Sequence, residues 1–145
     1  MTRDVLAYVT CALWSTNDES DESGGEPMDK KYSAEDLAPS ALARLEADVR
    51  EFLEACDAAG YDYAARSDAN LKGALNPKYS TDEYAVHDLW LTRNGHGAGF
   101  WDGDWAEPFA TWADEYAERA GSRDLYVGDD GRIYVAGFET YGDAS

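Results

Sequence analysis

Apolar residues recur at helical spacing in three stretches of the chain. Over about 4–14, Val5, Leu6, Val9, Ala12 and Leu13 share one side, which predicts an amphipathic helix. Over about 39–59, Leu42, Leu45, Val49, Phe52, Leu53 and Cys56 fall within an arc of about 100° at 3.6 residues per turn, the clearest helix in the sequence. Pro39 suits its first turn and Gly60 its C′ position. Ser33, with Asp36 three residues on, reads as a start signal just upstream. Over about 108–120, Phe109, Trp112, Ala113, Tyr116, Ala117 and Ala120 form a third apolar face, opened by Pro108 and closed by Gly121.

Two other stretches alternate. Asp88 to Arg93 sets Leu89 and Leu91 on one side and Trp90 and Thr92 on the other. Asn94-Gly95 then gives a turn signal and Gly99-Phe100-Trp101 a return strand, so a hairpin is predicted over about 88–101. Leu125 and Val127 alternate against Ile133 and Val135 around Gly128-Asp129-Asp130-Gly131, a second hairpin over about 125–136. Two hairpins in a small antiparallel sheet, covered by three amphipathic helices, make an α+β domain of two layers spanning 1–145. Between the elements lie an acidic loop at 15–32, an irregular connection at 61–84 and a frayed tail at 139–145.

Charge changes this picture most. Thirty acidic residues against twelve basic ones give a formal net charge of −18. On a body with a radius of gyration near ~15 Å this produces a negative potential over most of the surface. Such a field repels nucleic acid and anionic membranes and attracts basic protein surfaces. The two cysteines, Cys11 and Cys56, sit at helical positions with no secretory signal upstream, and read as buried core thiols in a cytoplasmic protein. The apolar stretch at the N-terminus is too short and too periodic for a membrane span.

ALWST (12–16), GEPMDKKYSAEDLAP (25–39), HDLWLTRNGHGAGFWDG (87–103) and LYVGDDGRIYV (125–135) together resemble a family of small acidic proteins encoded by tailed bacteriophages. The resemblance implies a setting, an accessory gene product in the cytoplasm of an infected bacterium, and no activity.

Candidate sites follow from the residues themselves. Glu46, Asp48, Glu51, Glu54 and Asp57 fan across the outer arc of the 39–59 helix, and Asp18, Glu19, Asp21 and Glu22 crowd the acidic loop, giving two parts of an anionic docking face. Trp90, opposite Leu89 and Leu91, is the candidate aromatic anchor for a protein partner. Arg93, Asn94, Gly95, His96, Gly97 and Gly99 form a glycine-rich loop whose bare amides could cradle a small ligand, although the helix that normally follows a phosphate-binding loop is missing. His87, His96, Asp102 and Asp104 match no metal-ligand spacing, so neither metal nor cofactor is expected. No catalytic constellation stands out.

The leading expectation is a non-enzymatic protein that docks its acidic surface on a basic host or phage protein, in the sharpest form as a nucleic-acid mimic. The alternatives are an enzyme or small-ligand binder using the 93–99 loop and a virion or assembly accessory protein.

Overall fold

A computed structural model of the chain describes residues 1–18, 26–61, 81–95, Phe100 and 107–136. The fold is α+β. Helix α1 spans Arg3–Ser15, α2 Pro39–Ala58, α3 Thr81–Arg93 and α4 Phe109–Ala120. Strand β1 (Asn17–Asp18) pairs antiparallel with β2 (Glu26–Pro27), and β3 (Asp124–Val127) with β4 (Ile133–Ala136).

Local chemistry accounts for the helix limits. Thr2 caps α1, its hydroxyl accepting from the Val5 amide. Ser33 and Asp36 form a reciprocal capping box around a single 3₁₀ turn, after which Pro39 opens α2. That helix closes through Gly60 at φ 89°, a left-handed conformation that glycine adopts without steric cost. Pro108 has no side chain with which to cap α4, so the Glu107 carboxylate accepts from the Thr111 amide and hydroxyl instead.

The three predicted amphipathic helices are present, as is the 125–136 hairpin with its predicted pairs, Leu125 opposite Val135 and Val127 opposite Ile133. The 88–101 hairpin is not. Its first half is the C-terminal part of α3, a helix with Ala85, Val86, Leu89, Trp90, Leu91, Thr92 and Arg93 all buried. A helix enclosed on nearly every side has no polar face to reveal its period, so the apolar run read as a strand. Ala85, Val86, Leu89, Trp90 and Arg93 nevertheless recur at helical spacing, and Asn94-Gly95 ends a helix rather than turning a hairpin. The last residues of the 61–84 connection belong to the same helix, and 62–80 lie outside the described residues, as do the return strand apart from Phe100 and the 139–145 tail.

The acidic loop at 15–32 is also more ordered than expected. The β1–β2 ladder ties its two ends, and Met28, in a 3₁₀ turn beyond it, is buried against the core. Consequently the two hairpins form two separate sheets rather than one.

The core is a helical layer with the β3–β4 hairpin on one side. Helix α1 packs along α3 and against α2, α3 packs on α4, and β4 lies on α2. An aromatic cluster of Phe52, Phe100, Phe109, Trp112 and Tyr116 fills the α2–α4 side, with ring centroids 5.3–6.4 Å apart. On the α1–α3 side Tyr8 meets Trp90 edge-on at 5.4 Å. Cys11 and Cys56 are both buried and not disulfide-bonded, and the Cys11 thiol donates to the His87 carbonyl at 3.6 Å. Leu6, expected on the core side of α1, is 47% exposed because the helix turns Val5, Tyr8, Val9, Ala12 and Leu13 inward instead. Among the described residues no helix is long and apolar enough to cross a membrane.

Candidate functional site: an arginine cluster beneath an anionic surface

On α2 the buried stripe runs through Ala41, Leu45, Asp48, Val49, Phe52 and Cys56. At 100° per residue its centre is rotated by about 40° from that of the arc predicted. That rotation takes Asp48 off the outer face and into the core, where its side chain is 2% exposed. Glu46, Glu54 and Asp57 remain outside as expected, with the exposed Arg50 among them. Glu51 is also exposed, and it pairs with Arg44 at 3.2 Å. The acidic face of α2 is therefore smaller than predicted and interrupted by a base. Of the loop acids, Asp18 lies in β1 and Glu19, Asp21 and Glu22 fall outside the described residues.

Asp48 is the hub of a buried polar network. Arg123 donates to both carboxylate oxygens at 3.1 Å, Arg44 to Oδ1 at 3.1–3.2 Å, and the Tyr8 hydroxyl to Oδ2 at 3.2 Å. Arg93 lies 3.3 Å from Oδ2 and also donates to the Tyr8 hydroxyl at 3.0 Å. A carboxylate can accept in about four lone-pair directions, which is why a single buried Asp can gather so many donors. Burial pushes the Tyr8 hydroxyl well above the ordinary tyrosine range, with the nearby Asp48 charge adding to it, so it stays a donor at any physiological pH. Burial alone would lower Arg93, but Tyr8 and Asp48 outweigh it and hold the guanidinium charged.

Arg93 also terminates α4. Its Nε donates to the Gly121 carbonyl at 2.7 Å and its Nη2 to the Ala120 carbonyl at 2.9 Å, satisfying groups that the helix end leaves open. Asn94 completes the junction, donating to the Trp90 carbonyl and accepting from the Arg123 amide, both at 2.9 Å. One ion cluster thus fastens α1, α2, the end of α3, the end of α4 and the start of β3.

The network opens outward into a cleft of about 500 Å³ between α2 and α4, lined by Arg44, Asp48, Glu51, Arg93, Tyr116, Arg119, Ala120 and Arg123. Burial, then the Glu51 charge, push the Tyr116 hydroxyl up to about 12. Arg119 stands exposed on the last turn of α4 and makes no hydrogen bond or ion pair with the described residues.

The glycine-rich loop reads differently in this setting. Arg93 and Asn94 are structural, and Gly95, at φ 71°, ends α3 with its amide on the Thr92 carbonyl. His96, Gly97 and Gly99 are outside the described residues. Trp90, the expected exposed anchor, is 1% exposed, its indole N–H donating to Ser15 Oγ at 2.9 Å. Helix partners cover both sides of it, so strand-like alternation does not apply. His87 lies on α3 with Nδ1 3.2 Å from Asp88 Oδ1 and its ring beside Trp14.

Among the described residues the exposed aromatics are Trp14 on α1, 44% exposed, and Tyr126. On the outer face of the β3–β4 hairpin, Tyr126 is 48% exposed and stacks on Tyr134 with centroids 5.8 Å apart. Tyr134 donates to Asp130 at 2.6 Å, which lowers the Asp130 carboxyl below its ordinary value. Asp124, Asp129 and Asp130 stand exposed around the pair.

The arginine cluster carried a faint sequence signal. Arg93 follows the apolar Leu89-Trp90-Leu91 run with no acid within four residues, whereas Arg123 stands beside Asp124 and gave no such signal. Tyr8 and Arg119 carried none. No protein-family profile, curated protein or solved structure matches this chain.

Proposed function

We propose that this chain is a non-enzymatic binding protein that docks an anionic surface on a positively charged site of a protein partner, in the cytoplasm of a phage-infected bacterium. The observation that carries the reading is the outer face of the β3–β4 hairpin. There a stacked tyrosine pair stands among Asp124, Asp129 and Asp130, with Arg132 the exposed base beside it.

With Tyr126 exposed and Tyr134 half-buried beneath it, a pair fixed by stacking loses little entropy on binding and supplies contact area, while carboxylates around it steer a basic partner. The exposed acids of α2 (Glu46, Glu51, Glu54 and Asp57) and of α4 (Glu115 and Glu118) extend the negative field. Among the described residues burial withdraws Arg93 and Arg123 from the exterior along with Asp48, Glu83 and Asp88, which removes only one net negative charge. In its sharpest form the reading has carboxylates occupying the places of phosphates and the tyrosine pair those of stacked bases, so that the partner's nucleic-acid site is blocked.

The test is affinity capture from infected-cell lysate with the wild-type chain and with a variant carrying Tyr126→Ala, Asp124→Asn and Asp129→Asn. The reading expects a basic protein held at about 50 mM salt and released by about 300 mM, where the Debye length has more than halved. It expects the variant to capture none of it. Equal capture by both proteins, or capture indifferent to salt, contradicts the reading.

A further inference from the structure

We propose that the cleft between α2 and α4 binds a phosphate-sized oxyanion, held by Arg119, Arg44 and Arg123. Its lining sets four guanidinium groups, Arg44, Arg93, Arg119 and Arg123, against two carboxylates, Asp48 and Glu51. The local excess of positive charge is out of keeping with a chain whose net charge is −18. Half of the eight arginines in the sequence converge here.

The groups differ in how far structure has already committed them. Arg93 is spent on the α4 carbonyls, Tyr8 and Asp48. Arg123 and Arg93, with side chains 4% and 3% exposed, share the buried Asp48 carboxylate, so positive potential from the floor reaches the cleft. In a partly enclosed site such charges act through a lower effective dielectric than at an open surface. Arg44 forms one wall with its side chain a quarter exposed, and its guanidinium links Asp48 to Glu51. Arg119 stands at the mouth without a partner among the described residues. A guanidinium presents paired N–H donors that match the oxygens of a phosphate, and several converging on one point bind it better than ammonium groups would. The Tyr116 hydroxyl, kept protonated by burial, adds a neutral donor on the α4 side. The cleft volume of about 500 Å³ lies within the range of small-ligand sites.

Glu51 is the built-in competitor, because it holds Arg44 where an anion would lie. The site therefore predicts opposite effects for two surface substitutions. Removing charge at Arg119 weakens binding, whereas Glu51→Gln frees Arg44 and strengthens it. A purely structural cluster predicts neither.

The experiment is a calorimetric titration of the intact chain with inorganic phosphate and, in a parallel arm, phenyl phosphate, each against sodium chloride of matched ionic strength. Thermal unfolding under the same conditions checks that every variant is folded. Saturable binding in either arm is expected, weakened at least about fivefold by Arg119→Gln and tightened by Glu51→Gln, as charge-assisted hydrogen bonds to a bound anion require. Phenyl phosphate binding alone assigns an esterified phosphate, and phosphate binding in both arms assigns the free group as sufficient. Absence of binding in both arms, or binding that Arg119→Gln leaves unchanged in a folded protein, overturns the proposal. The docking reading is tested separately at Tyr126, Asp124 and Asp129, none of which lines the cleft.

Discussion

Replacing Asp48 with Ala removes the one carboxylate on which Arg93, Arg123 and Tyr8 converge. The magnitude follows from burial. The three charged side chains are 2–4% exposed, so the two guanidiniums cannot recover in water what they lose. Breaking a buried pair by deleting one member costs about 3–5 kcal/mol, most of it the penalty of leaving charge inside without its counterpart. A domain of this size has a total stability of about 5–15 kcal/mol, so the loss is a large fraction of it. At roughly 3 °C per kcal/mol, the midpoint of thermal unfolding falls by about 10 °C. Arg44→Ala removes a partner that is a quarter exposed and screened by water, and costs about 1 kcal/mol or less. Urea unfolding followed by tryptophan fluorescence reads both, since Trp90 and Trp112 sit in or against the core. An Asp48→Ala loss below about 1 kcal/mol, with unchanged denaturant slope, refutes the view that this cluster fastens the helices together.

Alkali provides a second test. Burial raises the Cys11 thiol and the Tyr8 and Tyr116 hydroxyls above their ordinary values. A group raised on folding contributes its full stability below the unfolded pKa and loses it as pH climbs toward the folded one. Stability should therefore hold to about pH 8.5, where an unfolded thiol begins to ionise, and fall more steeply beyond about pH 10, where unfolded tyrosines do. The urea midpoint across that window measures it. Cys11→Ala should flatten the first part of the decline, and an unchanged profile in that variant contradicts the assignment. On the surface, Arg50→Glu makes the outer face of α2 continuous in charge between Glu46 and Glu54. If α2 contributes to docking, this variant binds the basic partner more tightly at low salt, and weaker binding counts against α2.

Legibility in the sequence followed the polarity of each element's surroundings. Helices α1, α2 and α4 have one wet and one dry side, so their period shows, and the caps at Ser33, Pro39 and Gly60 mark their limits. The β3–β4 register was legible because a turn of fixed chemistry separates strictly alternating residues. Helix α3 was not, because burial on nearly every side removes the contrast that reveals a helix. Leu89 to Thr92 then alternates by coincidence. The arginine cluster was hidden for a different reason. Asp48 lies only about 40° beyond the apolar arc of α2, an angle that periodicity does not resolve, and its partners other than Arg44 come from segments 40 or more residues away. Trp90 followed α3 into the core, and the exposed aromatics among the described residues are Trp14 on α1 and Tyr126 on β3.

The dependence of partner affinity on salt is the most direct measure of whether exposed carboxylates do the binding. With the captured basic protein in hand, the logarithm of its association constant is followed against the logarithm of sodium chloride concentration, for the wild type and for Asp124→Asn/Asp129→Asn. The account predicts a steep negative slope, made shallower by the double substitution, with affinity lost chiefly at low salt. A slope near zero, or one that the substitutions leave unaltered, contradicts it.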